Sequence, residues 1–449
     1  MLSILLLTYT TGWIDRGIMG ILGQAIKTEM RLADWQLGLM TGFAFSVFYS
    51  LLGFPLARMA EKSSRVNLIA ICMILWSGMT ALCGMATNFL MLLAFRCGVG
   101  VGEAGCAPGC HSLLTDYFEP KQRTMAFSIY GLGVPLGGMS GAIIGGVLTQ
   151  YVDWRFALIA VGFPGMILAL ILKLTVKEPE RGRMESDAVK AAKAAAPPVP
   201  TPSLMEVWKT LWRKHTFRHI AAALALIGMS GGTSGAFLGA YYIRQFHLKY
   251  SEVGLIIGLM AGVTSIAGTL IGGVLAQKLG KSNAKWYMLV PAIGVCMSAP
   301  FSFAAYLQNQ WYLMAGLLLL PNLLSASYLA TAFASTHNMV GSEMRASAAA
   351  TANFFLNIIG MAMGPVIGGL GIDMFSNHIF AETGLGAFGT LCPGGAALPG
   401  AAEVVRAACA TTQATATKWV LLLTAPLTLW AGIHYFLGSR TIARDLNPA

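Results

Sequence analysis

Residues 89–114 read FLMLLAFRCGVGVGEAGCAPGCHSLL, an apolar run interrupted by only two charges, Arg96 and Glu103. Wound as a helix at about 1.5 Å per residue it extends roughly 39 Å, enough to cross a hydrocarbon layer of about 30 Å. A strand of a membrane barrel would alternate apolar and polar residues over about ten positions, and this run does not. It is predicted to be a helix whose solvent is lipid. Comparable runs recur along all 449 residues. Taken between charged or Pro/Gly punctuation they predict twelve spans, at about 2–25, 35–59, 67–86, 89–114, 124–150, 154–174, 217–243, 252–277, 285–306, 311–337, 346–375 and 417–438. The composition agrees, with 56 % hydrophobic and 11 % charged residues, where soluble domains carry about 25 % charge. The fold class read from this is an all-α membrane protein.

The formal charge of +11 would suit nucleic acid only if the 30 Lys and Arg were gathered on one surface, and they are scattered among short connectors. Their distribution reports orientation instead. With the N-terminus in the cytoplasm, 21 fall in the even connectors and the tail, seven in the odd connectors, and Arg16 and Arg96 lie inside spans. The positive-inside bias then predicts that both termini are cytoplasmic. The chain opens on an apolar run without a basic leader region, so no cleavable signal is expected. Six of the eight cysteines, Cys72, Cys83, Cys97, Cys106, Cys110 and Cys296, sit in apolar runs as small packing residues without metal-ligand spacing. Cys392 and Cys409 share one Gly- and Ala-rich hydrophilic loop, outside on this topology, and a disulfide is expected between them.

The longest middle connector divides the chain into 1–174, an N-terminal six-helix bundle; 175–216, a cytoplasmic linker; 217–438, a C-terminal six-helix bundle; and 439–449, a cytoplasmic tail. The linker contains an Ala/Pro tract, Ala191 to Pro202, with too little bulky apolar surface to pack. After it, Ser203 and Glu206 have capping-box spacing, and Val207, Trp208, Leu211 and Trp212 form one face opposite Lys209, Arg213 and Lys214. An interfacial helix is predicted there.

The halves repeat one another. Gly38, Leu39, Gly42, Ala60, Lys62 and Arg65 recur 216 residues later as Gly254, Leu255, Gly258, Ala276, Lys278 and Lys281. Arg123 recurs as Arg345, and the pair Gly145–Gly146 as Gly368–Gly369. Two six-helix repeats are a transporter arrangement, with the expected site between them near the midplane. The connector Ala57 to Arg65, ARMAEKSSR, resembles the loop signature G-x-x-x-D-R-x-G-R-R of the major facilitator superfamily. Ala57 replaces the first Gly, Glu61 the Asp, Lys62 the Arg and Ser64 the second Gly. Glu61, Lys62 and Arg65 are the candidate cytoplasmic gate, in which an acid latches onto a helix N-terminus or a basic partner.

Charge inside the spans points to function. Only Asp15 and Glu103 among the acids, and Arg16 and Arg96 among the bases, lie well inside them. Each costs at least about 2.5 to 3.5 kcal/mol at mid-helix, so four in one half require compensation or a purpose. Arg96 and Glu103 are seven apart, on one face but separated by roughly 10 Å of rise, and Asp15 and Arg16 point about 100° apart. Cross-helix pairing follows, with Arg16 near Glu103 and Asp15 or a substrate near Arg96.

The Asp15-Arg16 pair, R-x-G-V-G-V-G-E-A from Arg96 to Ala104, Ser112 to Phe118 (SLLTDYF) and Ile129 to Gly138 (IYGLGVPLGG) together resemble the bacterial form of the spinster family within that superfamily. The resemblance implies a secondary transporter of lysophospholipids or sphingoid phosphates in the inner membrane, with coupling to protons. Carried over by residue, Arg16 and Arg96 hold a headgroup or partner acids, and Asp15 and Glu103 exchange protons.

Spans seven to twelve hold no Lys, Arg or carboxylate away from their ends. They offer neutral polar groups such as Thr233, Asn322, Ser325, Asn353 and Asn357, of which Asn353 and Asn357 are substrate-binding candidates. A charged half and an uncharged one suit an amphiphile. Tyr130 is a candidate cavity residue, although aromatics in membrane helices mostly pack. His111, about two turns beyond Glu103, reads as a hydrogen-bonded structural histidine. The string Gly360 to Gly369 (GMAMGPVIGG) reads as close helix packing with a proline bend. No phosphate loop, metal cluster or nucleophile constellation occurs, so neither an enzyme nor a cofactor is expected. The expected partners are an amphipathic lipid-like substrate, protons and membrane lipids, around a monomer. Two alternatives compete: an organic-anion or drug carrier of the same fold, and a non-transporting membrane sensor.

Overall fold

A backbone in lipid has no water to bond and must satisfy its N–H and C=O groups within the segment, which is why long apolar runs close into helices. The computed structural model describes residues 1–184, 202–341 and 344–446. Every regular element among them is helical. Eleven helical segments are long and apolar enough to cross a membrane by length and composition: Asp34–Gly53, Arg65–Cys83, Phe89–Tyr117, Pro120–Tyr151, Trp154–Thr175, His215–Phe246, Tyr250–Gly280, Trp286–Tyr306, Trp311–Asn338, Ser347–Ala381 and Glu403–Ser439. Span one is the helix Leu2–Met30, too polar around Thr8 to Thr11 and Asp15-Arg16 to join that set.

Local chemistry sets the boundaries. Asn88 accepts from the Met91 N–H and Ser64 from the Asn67 N–H, capping spans four and three. Span one runs past its predicted end near residue 25 to Met30 and stops where Arg31 adopts φ 52°. The charge at Lys27 looked like a terminus, but Lys27 is buried with polar partners of its own. Span four breaks directly after Glu103, the helices Phe89–Glu103 and Cys106–Tyr117 meeting at Ala104-Gly105. Two stretches widen into π-helix, Leu39–Phe43 in span two and Phe355–Ala362 in span eleven.

The linker helix spans Leu204–Arg213, with Ser203 Oγ accepting the Glu206 N–H and Glu206 accepting the Ser203 N–H. Val207 and Leu211 are fully buried among Phe217, Ile220 and Phe355, and the Trp208 ring stacks on Trp212 and Phe355 at 5.5 and 5.6 Å. Of the Ala/Pro tract only Pro202 falls within the described residues, and the tail is described to residue 446. Cys392 and Cys409 are disulfide-bonded.

Packing groups Met1–Met19 with Ala44–Pro200 in one compact unit and Gly20–Phe43 with Thr201–Ala449 in a second. This differs from a division at the linker, because Gly20–Phe43, the far end of span one and the start of span two, packs among C-terminal helices. Within the second unit a Cβ at Gly20 would lie 2.5 Å from the Gly235 carbonyl oxygen.

Candidate functional site

In the first unit, Arg16 and Glu103 come together from spans one and four. Arg16 donates from Nε and Nη2 to Glu103 Oε1 at 2.9 and 2.6 Å. The approach depends on Gly12, one turn before Arg16, where a Cβ would stand 3.0 Å from that same oxygen. Another close crossing brings span two against span four: a Cβ at Gly100 would lie 2.5 Å from the Phe45 carbonyl oxygen. Span two thereby presents Phe45 and Tyr49, stacked at 5.5 Å, to the guanidinium. The Arg16 Cζ lies 4.6 Å from each ring centroid and 4.7 Å from that of Trp13. One cation is thus enclosed by three rings and a carboxylate, where low dielectric strengthens both contacts.

Arg96 is placed differently. It is 2 % exposed, its Cζ lies 5.9 Å from the Phe45 centroid, and its Nε and Nη1 have no hydrogen-bond partner among the described residues. Asp15 is 1 % exposed, and neither of its carboxylate oxygens has a hydrogen-bond partner among the described residues. Glu103 Oε2 likewise lacks a partner among the described residues. Buried polar atoms left so are costly unless something else fills the role. Tyr130 stacks on Tyr9 at 4.4 Å, its hydroxyl has no hydrogen-bond partner among the described residues, and the His111 ring meets it edge-on at 5.4 Å.

Residues 1–365 match the sequence pattern of the Major Facilitator Superfamily. The chain belongs to that superfamily. Among relatives, an MFS-type efflux pump of Mycolicibacterium smegmatis is 28 % identical over 99 % of this chain and 93 % of its own length. A probable L-galactonate transporter of Escherichia coli is 24 % identical, covering 82 % of this chain and 81 % of that protein. A solved bacterial homolog of the human lysosomal transporter Spinster, described as inward-facing and unoccupied, superposes with a TM-score of 0.88 at 29 % identity, over 100 % of this chain and 98 % of that one. Family and structural likeness identify a non-enzymatic, multi-pass membrane transporter of spinster-like type.

The superfamily's loop region, Ala57 to Arg65, is built around Arg65 rather than around its acid. Arg65 is fully buried at the start of span three. It pairs with Asp116, donates to Glu178 Oε1 at 2.6 Å and Ser112 Oγ at 3.0 Å, and reaches the Pro179 carbonyl at 2.7 Å. Glu178 also accepts the Val66 N–H at 2.9 Å, capping span three from beyond span six. Burial alone would raise the Glu178 carboxyl, but the Val66, Arg65 and Ser64 bonds outweigh it and hold it below the ordinary glutamate range. Glu61 and Lys62 are exposed at the end of span two.

In the second unit of this superfamily member, Asn357 Nδ2 donates to the Asn353 carbonyl oxygen at 3.1 Å, so the two asparagines are partly engaged with one another. A larger polar cluster escaped the sequence reading. Lys27, 1 % exposed, pairs with Asp34 and donates to Gln413 Oε1 at 3.0 Å. Arg244 donates to Asp34 Oδ1 at 2.7 Å, Gln24 Oε1 at 2.8 Å and Thr417 Oγ1 at 2.7 Å. Asp373 accepts the backbone N–H groups of Asp34 and Trp35 at 3.0 and 2.9 Å, capping the start of span two from span eleven. All four charges stand at the ends of apolar runs, where a sequence reading assigns them to topology. The available signal was Asp34 immediately before an apolar run, an acid suited to a first helical turn.

Proposed function

We propose that this superfamily member is a proton-linked secondary transporter of lysophospholipid- or sphingosine-phosphate-like amphiphiles, working by alternating access as a monomer in a bacterial inner membrane with both termini cytoplasmic. The observation that carries the reading is Arg96, a buried guanidinium with two nitrogens free of hydrogen-bond partners among the described residues, next to a second guanidinium already bound to Glu103. An anionic or zwitterionic headgroup would supply the acceptors Arg96 lacks, a charge-assisted contact in a desolvated site. Arg16 would join it once Glu103 is protonated, because a neutral carboxyl holds a guanidinium less strongly. Asp15, opposite Arg96, would be the second proton acceptor. Tyr130 would contact the ligand with its unsatisfied hydroxyl; in the second unit, Asn353 and Asn357 are proposed as neutral ligand contacts. Glu61, Lys62 and Arg65 are proposed to control the cytoplasmic side, with Arg65 as the structural anchor.

Chain length tests the substrate class. Each buried methylene contributes about 0.8 kcal/mol, so two more carbons should tighten binding roughly tenfold until the available apolar surface is used. Binding of lysophospholipids of increasing length, below their micellar limits, should show that series. The efflux-pump and L-galactonate relatives favour a second reading, an organic-anion or drug carrier. Flat affinity across the series with tight binding of a short sugar acid would establish that reading and reject the first.

A further inference from the structure

Two hydroxyls of span three, on Ser77 and Thr80, are used by no role above. Hydroxyls on a helix commonly turn back onto the carbonyl four residues earlier, as Thr10 does to Leu6 at 2.8 Å and Thr11 to Leu7 at 2.9 Å. Ser77 Oγ and Thr80 Oγ1 are fully buried and make neither that bond nor any other among the described residues. Helix register shows what lies beside them. Thr8 Oγ1 donates to Met73 Sδ at 3.5 Å, and a Cβ at Gly165 would lie 2.2 Å from Ser77 Oγ and 3.2 Å from Thr11 Cγ2, so spans one and three run side by side in step. Seven residues, or about two turns, past Thr8 and Met73 stand Asp15 and Thr80, on the same faces of their helices. Span four crosses span three where a Cβ at Gly102 would lie 2.5 Å from the Trp76 nitrogen, and this brings Arg96 level with Thr80 to within about 3 Å of rise. We propose that Thr80 is a positioning residue for proton exchange at Asp15, its hydroxyl donating to the charged carboxylate, directly or through one water, and holding it toward Arg96.

The role rests on the proton reading of Asp15 given above. A carboxylate only accepts hydrogen bonds, whereas its protonated form also has one to donate. A hydroxyl serves both states, because it donates to the charged form and, turned about, accepts from the neutral form or from Arg96. The charged form gains more, since hydrogen bonds to an ionised acceptor are roughly twice as strong as neutral ones. Thr80 therefore favours release of the proton and strands no polar atom when it returns. The proton comes from water and goes back to water, and Thr80 keeps its own. The charged groups facing Asp15 are Arg96 and Glu103 from span four and Arg16 from its own helix. Span three adds the Cys83 thiol, within electrostatic reach of Asp15 and Arg96. Spans five and six meet span one at this depth through Gly137, Gly141 and Gly165, which carry no charge. All of these groups lie in the first compact unit.

The test follows the carboxylic C=O infrared band of the full chain in lipid nanodiscs as pH is varied. A titrating band that is lost in Asp15→Asn reports Asp15. Thr80→Val keeps the volume and removes the hydroxyl, and the loss of a donor to the charged form should raise the midpoint of that band by about one pH unit, a tenfold gain in proton affinity. Thr80→Ser restores the hydroxyl and should return the affinity to within about threefold of the parent. A packing role would lower the Tm and leave the midpoint alone. An unshifted midpoint in folded Thr80→Val, or Thr80→Ser shifted as far as Thr80→Val, would overturn the positioning role while leaving Asp15 a proton site. A parent without an Asp15-dependent band would overturn both. Should Thr80→Val not fold, Thr80→Ala should move the midpoint in the same direction, and no movement there overturns the role equally.

Discussion

Arg16 places both donating nitrogens on one oxygen of Glu103, at 2.9 and 2.6 Å, and leaves the other oxygen of that carboxylate without a hydrogen-bond partner among the described residues. The pair is lopsided: one oxygen is saturated and the other can receive a proton without displacing the guanidinium. A group that can change charge in place, while its partner remains within reach, is what coupling requires.

Glu103→Gln keeps an acceptor for Arg16 and removes the titration. The variant should fold, and a pH-driven change in the distance between labels on the two halves, compared at pH 5.5 and 8, should disappear. An unchanged response would remove Glu103 from coupling.

For Arg96→Ala the expected loss is one of affinity. Breaking a buried, hydrogen-bonded pair costs about 3 to 5 kcal/mol, but Arg96 makes no such bond through Nε or Nη1, and its removal also relieves the burial of a cation. Apo Tm should stay within a few degrees of the parent while lysophospholipid affinity falls at least tenfold. A collapse of apo stability would instead show that Arg96 is chiefly the counter-charge of Asp15.

Phe45 faces both guanidinium groups, 4.6 Å from Arg16 and 5.9 Å from Arg96. Phe45→Leu retains apolar volume and loses the ring face. At about 0.5 to 2 kcal/mol for a desolvated cation–π contact, headgroup affinity should change several-fold, measured by titration with one lysophospholipid at constant chain length. Equal affinity would make the ring a packing residue.

Glu178 gives a pH dependence with a definite sign. Its carboxyl is held below the usual value of about 4.3, so the folded chain binds fewer protons there than the unfolded one. Its contribution is complete above that usual value and is lost as pH falls through the lowered folded value. Glu178→Gln should lower the Tm by a few degrees at pH 7, about 1 kcal/mol once solvent screening at this half-exposed site is allowed for, and the gap should close on acidification below about pH 4. A gap independent of pH would assign the loss to shape rather than charge.

What could be read before the structure follows from where lipid makes polarity expensive. Arg16, Glu103, Asp15 and Arg96 stood out because mid-span charge has no cheap explanation, and the helices stood out because uncharged runs of that length have few alternatives. Lys27, Asp34, Arg244 and Asp373 did not, since charge at the end of a run is ordinary and only tertiary packing buries it. The rings around Arg16 were equally hidden: Trp13 is near in sequence, but Phe45 and Tyr49 reach the guanidinium only through the close crossing at Gly100. Arg65 was singled out with its loop, yet its partners Asp116 and Glu178 lie 51 and 113 residues away.

The π-helix at Phe355–Ala362 also leaves a mark in the arithmetic of the internal duplication. Arg123 and Arg345 stand 222 positions apart, whereas Gly145 and Gly368 stand 223 apart, so span eleven holds one residue more than span five between these landmarks. The step falls across the widened turns. In an ordinary α-helix one added residue would rotate everything after it by about 100°. Turns that take up a residue in this way leave Asp373 placed to accept the Asp34 and Trp35 N–H groups at 3.0 and 2.9 Å. Deleting one residue within these turns should restore a regular helix with both flanks in register, whereas a deletion elsewhere in the span would turn Asp373 away from Asp34.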